Sequence, residues 1–244
     1  VDLGLTDRVY VVTGGSRGLG LAVAQSLLVE GARVVLSGRG AEVQTTANTL
    51  GGRDRVIGIV GDNADEATAG RLVAAAHDRF GRLDGALISV GGPHPGSAMD
   101  VDDTTWREAF ETIFLGALRI ARTVATAAPG GSILFVLSSS VRAPIPGLAV
   151  SNGLRPGLGM LAKTLANELG PAGTRVNGLL PAYVATGRAG ELAALTGETT
   201  PMNSLRRQGT PLEVGHAATF ILSPAASYIT GTMIAVDGGA IPAL

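Results

Sequence analysis

The sequence predicts an α/β fold: one doubly wound, parallel sheet of about seven strands with helices on both faces. Three observations carry this reading. Short apolar runs alternate with longer amphipathic stretches from one end of the 244 residues to the other, and such alternation builds β-α-β crossovers. The apolar runs are nearly continuous rather than alternating with polar residues, as strands covered on both faces require. The first run, Val9 to Val12, leads straight into a glycine-rich turn and then a helical stretch.

Taken in order, strands are predicted at 8–13, 33–37, 55–60, 85–90, 132–137, 175–180 and 233–236. Helices are predicted at 19–30, 41–50, 67–80, 104–128, in a segment ending near Leu169, and at 212–222. Neither a Pro/Gly/Ser-rich linker nor a repeat of fixed period interrupts the rhythm, so 1–244 reads as one domain. The least regular stretch, 182–210, carries a short helical fragment at 190–195 among Gly, Thr and Pro, and is expected to be a substrate loop or lid.

Composition narrows the function classes. Apolar residues make up 45% and charged residues 16%, which suits a packed core and not a disordered chain. A net charge of −1 leaves no electrostatic footprint for nucleic acid or an anionic membrane. Cysteine is absent, which removes disulfides, thiolate metal ligands and a cysteine nucleophile together. No metal site is expected. No apolar run approaches the ~20 residues that cross a bilayer, and no signal-peptide pattern opens the sequence. A cytoplasmic protein with a small-molecule ligand is the expectation.

Residues 13–20 read TGGSRGLG, between the first strand and the first helix. Dinucleotide chemistry needs that arrangement: Gly14 for the tight turn, Gly18 for close backbone approach to a pyrophosphate, Gly20 for helix–strand packing. The helix N-terminus then turns N–H groups and a positive dipole end toward phosphate. The second strand ends Ser37-Gly38-Arg39. A carboxylate there would select a ribose 2′-hydroxyl, whereas an arginine suits a 2′-phosphate. With Arg17 as a second cation and no acidic residue recognised nearby, the expected cofactor is NADP(H). Asp62, just past the third strand, is placed to accept from the adenine amino group or to form a turn.

With these motifs the sequence resembles the short-chain dehydrogenase/reductase family, a Rossmann-fold family, over its whole length. TGGSRGLG is similar to the family's TGxxxGxG, and Ser89-Val90-Gly91-Gly92 sits where the family has NNAG. Arg175-Val176-Asn177 with Pro181 to Thr186 resembles its VN…PGxxxT element, and Tyr228-Ile229-Thr230-Gly231 with Val236-Asp237-Gly238-Gly239 resembles its 3-oxoacyl-carrier-protein reductase branch. The resemblance implies hydride transfer at a carbonyl and a homotetramer or dimer built on the long helices and the last strand. It extends the cofactor-binding set to Ser16, Leu19, Asn63, Ser89, Gly91, Pro181, Tyr183, Val184 and Thr186.

The family's catalytic positions have changed here. Its serine falls at Ser138. Its tyrosine position holds Ser151, its lysine position Arg155 and its helical asparagine position Ile113. Serine is a far weaker acid than a phenol, and arginine keeps its proton. Arg155 still suits a developing oxyanion. The proton then comes through a water held by Ser151, from His94, or from Tyr183. Lys163 is two helical turns beyond Arg155, roughly 12 Å along the axis, too far to replace it. Because Pro156 follows Arg155, the helix is expected to start or kink there. In the lid, Leu192, Leu195, Met202 and Leu205 suit an acyl or other apolar ketone and equally suit plain packing. A catalytically inactive member that binds nucleotide as a structural or sensing subunit is the alternative reading.

Overall fold

The computed structural model describes residues 1–190 and 203–242. Seven strands form one sheet: β1 (Val9–Val12), β2 (Arg33–Gly38), β3 (Val56–Val60), β4 (Gly85–Ser89), β5 (Ser132–Val136), β6 (Arg175–Pro181) and β7 (Met233–Val236). Every pairing is parallel, in the order β3-β2-β1-β4-β5-β6-β7. The predicted strands agree with these to within one residue at each end.

Strand alternation divides the core between the two faces. Val9 and Val11 on β1 pack with α3 (Glu66–Phe80), α5 (Gly116–Ala127) and α6 (Ala149–Leu169), through Leu72, Leu118 and Leu158 among others. Tyr10 and Val12 point the other way, toward α1 (Gly18–Val29), α2 (Glu42–Leu50) and α7 (Pro211–Leu222), where Val23, Leu27 and Ile221 are buried. Each fully buried aliphatic side chain contributes about 1.5–3 kcal/mol of transfer free energy. The helices start where capping chemistry permits. The Asp65 carboxylate accepts from Ala67 N–H at 3.0 Å, and Thr210 and Glu213 form a reciprocal capping box around Pro211. Caps of this kind contribute about 1 kcal/mol each.

Two elements differ from the sequence expectation. The predicted helix 104–128 is α4 (Asp103–Ala109) joined to α5 by a π-helical turn, Phe110–Leu115. The helix carrying Arg155 does not start at Pro156; it extends from Ala149 to Leu169 with the proline inside it. Pro156 leaves the Asn152 carbonyl without its helical donor, a cost of about 3 kcal/mol in an ordinary helix interior. Burial of Val150, Arg155, Leu158 and Ala162 on the same helix holds the chain in place despite it.

The strand order reverses between β1 and β4. The loops leaving these two strands diverge there, and a crevice opens at the C-terminal ends of the strands.

Candidate active site

The crevice at the switch point is a cleft of about 730 Å³. Its near end is backbone. Gly14, Ser16, Arg17, Gly18, Leu19 and Gly20 line it, and Arg17 occupies the N-cap of α1 in extended conformation without a side-chain cap, so the first-turn N–H groups face the opening. Gly18 has φ +57°, and beyond its neighbours only a Thr186 methyl comes within 4.0 Å of where a Cβ would stand. At Gly20 a Cβ would overlap the Gly14 carbonyl; only glycine lets the helix approach the turn this closely.

Arg39 at the end of β2 is exposed and lines the cleft, as do Asp62 and Asn63. The Asp62 carboxylate accepts from Ala64 N–H at 3.0 Å, so it forms a turn and lines the cleft at once. Asn63 reaches across with its amide to the Ser89 carbonyl at 3.4 Å. The expectation that no acidic residue lies near Arg39 is corrected: Glu42, the first residue of α2, lines the same cleft. Ser89, Gly91 and Thr186 line it too. Pro181, Tyr183 and Val184 do not belong to its lining. Tyr183 is 38% exposed with φ +51°, and Val184 is buried beside Gly209, to which it is bridged.

At the far end the side chains are committed elsewhere. Arg155 is 7% exposed. Its Nη1 donates to the Val136 carbonyl at 3.2 Å and to the Leu137 carbonyl, and its Nη2 donates to the Gly91 carbonyl at 2.6 Å. The guanidinium thus ties together the chain leaving β4 and β5. Its Nε is buried with no partner among the described residues. Burial, with the Arg188 charge adding to it, lowers the Arg155 pKa to about 10, so it remains a cation at neutral pH.

Ser151 lies four residues back on the same helix and is 4% exposed. Its hydroxyl meets the Ser140 hydroxyl at 3.0 Å and is not part of the cleft lining. Ser138, half-buried, does not belong to the cleft lining, although its chain neighbour Leu137 does; it accepts from Ser140 N–H at 3.1 Å, and its own O–H proton has no acceptor among the described residues. Ile113 lines the cleft and packs with Ala109 and Val150. Lys163 is exposed, far along α6, near Gly231.

Sequence reasoning missed several features. Thr105, Glu108, Ala109 and Thr112 join Ile113, already singled out, on one face of α4 and the π turn along the cleft; their helical spacing was the available signal. Arg188, just past β6, lines the cleft and donates to the Pro93 carbonyl at 2.5 Å; nothing in its sequence context marked it. Ser140 was one of three consecutive serines, and only the fold distinguishes it. Of the lid residues, Leu205 is exposed, whereas Leu192, Leu195 and Met202 lie outside the described residues. Among the described residues no His/Cys/Asp/Glu cluster could hold a metal, and no helix is long and apolar enough to cross a membrane.

A seven-stranded parallel sheet with a glycine-cradled cleft at its switch point defines a Rossmann-type α/β protein. The family model described as Enoyl-(Acyl carrier protein) reductase matches residues 14–240. An uncharacterized oxidoreductase of Methylorubrum extorquens is 34% identical over 248 residues, which cover 96% of this chain and 98% of that protein. Among solved structures, L-sorbose reductase from Gluconobacter frateurii, complexed with NADPH and L-sorbose, superposes with a TM-score of 0.91 at 27% identity over 100% of both chains. A short chain oxidoreductase from Pseudomonas aeruginosa PAO1, described as containing an atypical catalytic center, gives 0.88 at 26% identity, covering 98% of this chain and 99% of the other. The chain belongs to the short-chain dehydrogenase/reductase family.

Proposed function

We propose that this chain is an oxidoreductase that uses NADP(H) to reduce a carbonyl, of the 3-oxoacyl or another ketone class, with a proton donor other than tyrosine. The observation that carries the reading is one cleft holding a glycine cradle and two exposed guanidiniums at one end, and a buried guanidinium at the other. The residues fit the cofactor. Gly18 leaves open space beside the α1 N–H groups. The Ser37 hydroxyl lines the cleft, buried and without a partner among the described residues, which suits a polar group bound there. NADPH in the L-sorbose reductase structure adds support.

Arg17 and Arg39 hold the 2′-phosphate, and the α1 N–H groups hold the pyrophosphate. When bound, the reduced nicotinamide supplies the hydride. Ser138, next in the chain to the lining residue Leu137, gives its O–H to the substrate oxygen, and the Arg155 cation favours negative charge developing there. The whole chain acts as one dinucleotide-binding and catalytic domain, working in the cytoplasm as a homotetramer or dimer.

A second reading, a nucleotide-binding member without turnover, has one observation in its favour: the Ser151 hydroxyl is turned onto Ser140 and out of the cleft. Titration with NADPH and with NADH, followed by nicotinamide fluorescence, tests the cofactor, and a ketone panel then tests turnover. Tighter binding of NADPH with oxidation on one of the ketones supports the reductase. Binding without any turnover favours the second reading, and binding of neither nucleotide overturns both.

A further inference from the structure

We propose that His94 is the general acid of this site. The inference rests on the reductase reading above and names the group that completes it. None of the side chains at the usual catalytic positions supplies this proton. The Ser151 hydroxyl is buried against Ser140. The Arg155 guanidinium is bound to three carbonyls and, as an arginine, does not give up its proton. Ser138 can position an oxygen, but an alcohol is too weak an acid to protonate it unaided. Tyr183 is not in the cleft lining.

His94 lines the cleft together with Arg155 and Arg188, and it is exposed to solvent. Its loop is held at both ends. Pro93 is buried, and its carbonyl accepts from Arg188 Nη2 at 2.5 Å. Gly96 N–H donates to the Gly147 carbonyl at 2.7 Å, and the Gly96 carbonyl accepts from Ala149 N–H at 3.1 Å. Prolines on both sides of His94 fix their own φ angles. The ring is therefore carried on a stiff support tied to the start of α6 and to the segment after β6.

The charged groups around it are Arg188 after β6, Asp102 and Glu108 at the start of α4 and along it, and Arg155 on α6. Hydrogen bonds from Thr105 hold the Asp102 carboxyl below its ordinary value, with the His94 charge as the last and smallest of the causes. Among the described residues that line the cleft, His94 alone carries an imidazole, the side chain that serves most often as a general acid or base.

The cofactor, when bound, would supply a hydride to the carbonyl carbon, and the C=O π pair would move onto oxygen. The His94 imidazolium N–H gives its proton to that oxygen. Alcohol and oxidised dinucleotide result, and the neutral imidazole takes a new proton from water. Arg188 is a positioning residue through Pro93.

The test uses the full chain as wild type and as His94→Gln, with NADPH and the ketone panel. The expected result is NADPH affinity within about twofold of wild type and kcat lower by about 100-fold or more, with added imidazole restoring part of the loss in His94→Ala. A readout independent of turnover is ¹⁵N-histidine NMR, since His77, His94 and His216 are the three histidines. The His94 signal should move on adding NADP⁺ with a product alcohol, while the other two, on α3 and α7, stay. If wild type reduces no ketone, the reductase reading falls and this proposal with it. If wild type reduces ketones and His94→Gln retains more than about half its kcat, or its signal does not respond to ligand, His94 is not the acid and the reductase reading stands.

Discussion

The two ends of the cleft are built on different principles. At the β1–α1 turn the contacts come from backbone: glycines that permit a close helix and N–H groups that no side chain caps. At the β5–α6 end the work falls to side chains. The Ser151 hydroxyl pairs with that of Ser140, and the Arg155 guanidinium fastens strand ends. A backbone cradle tolerates almost any sequence that keeps its glycines. A side-chain constellation changes meaning with each substitution.

The comparison is broken most severely at Gly20. Gly20→Val drives a side chain into the Gly14 carbonyl, and overpacking against backbone should cost about 3 kcal/mol. Thermal unfolding should fall by roughly 6–12 °C, with nucleotide binding lost; an unchanged melting temperature and affinity would mean the turn relaxes freely. Arg155→Ala strikes the other end. Three carbonyls lose their donor, and stability should drop by about 2 kcal/mol, read by urea unfolding. Turnover should fall strongly with NADPH affinity little changed. Loss of affinity instead would make Arg155 part of the cradle.

Ser151→Ala sharpens the contrast further. It removes one buried hydroxyl pair, about 1 kcal/mol, and should leave kcat where it was; a tenfold loss would mean that a water held by Ser151 carries the proton. The smallest effect belongs to a site outside the cleft. Hydrogen bonding to Arg207 first, then to Thr210 N–H, lowers the Glu213 pKa from its ordinary 4.5 to about 2. A lowered carboxyl pKa means that the stabilisation is complete above 4.5 and lost as pH falls toward 2. The melting-temperature gap between wild type and Glu213→Gln should therefore be small at pH 7 and narrow as pH falls from 4.5 toward 2.

Much of this was legible before the coordinates. Strand and helix positions followed from apolar runs, because sheet burial on both faces leaves an unambiguous signature in Val, Leu and Ile. The TGGSRGLG turn was legible because its glycines answer to local geometry. What stayed hidden depends on contacts distant in sequence. Pro156 argued for a helix boundary on local grounds, and tertiary packing overrode it. Ser151 and Arg155 read as a polar pair facing the substrate, whereas Ser140, Val136, Leu137 and Gly91 claim their polar atoms. Arg188 became visible only once the chain after β6 lay beside Pro93.

The π turn at Phe110–Leu115 makes the site sensitive to chain length as well as to residue identity. A π turn holds one residue more than the α turn it replaces. Deleting a single residue there would let the helix regularise and rotate Asp103–Ala109 by roughly 100° about the axis. Thr105 and Glu108 would swing off the cleft while α5 kept its place in the core. When relatives are laid beside this chain, a one-residue gap in that stretch should be counted as a change to the active site, even where every residue lining it is the same.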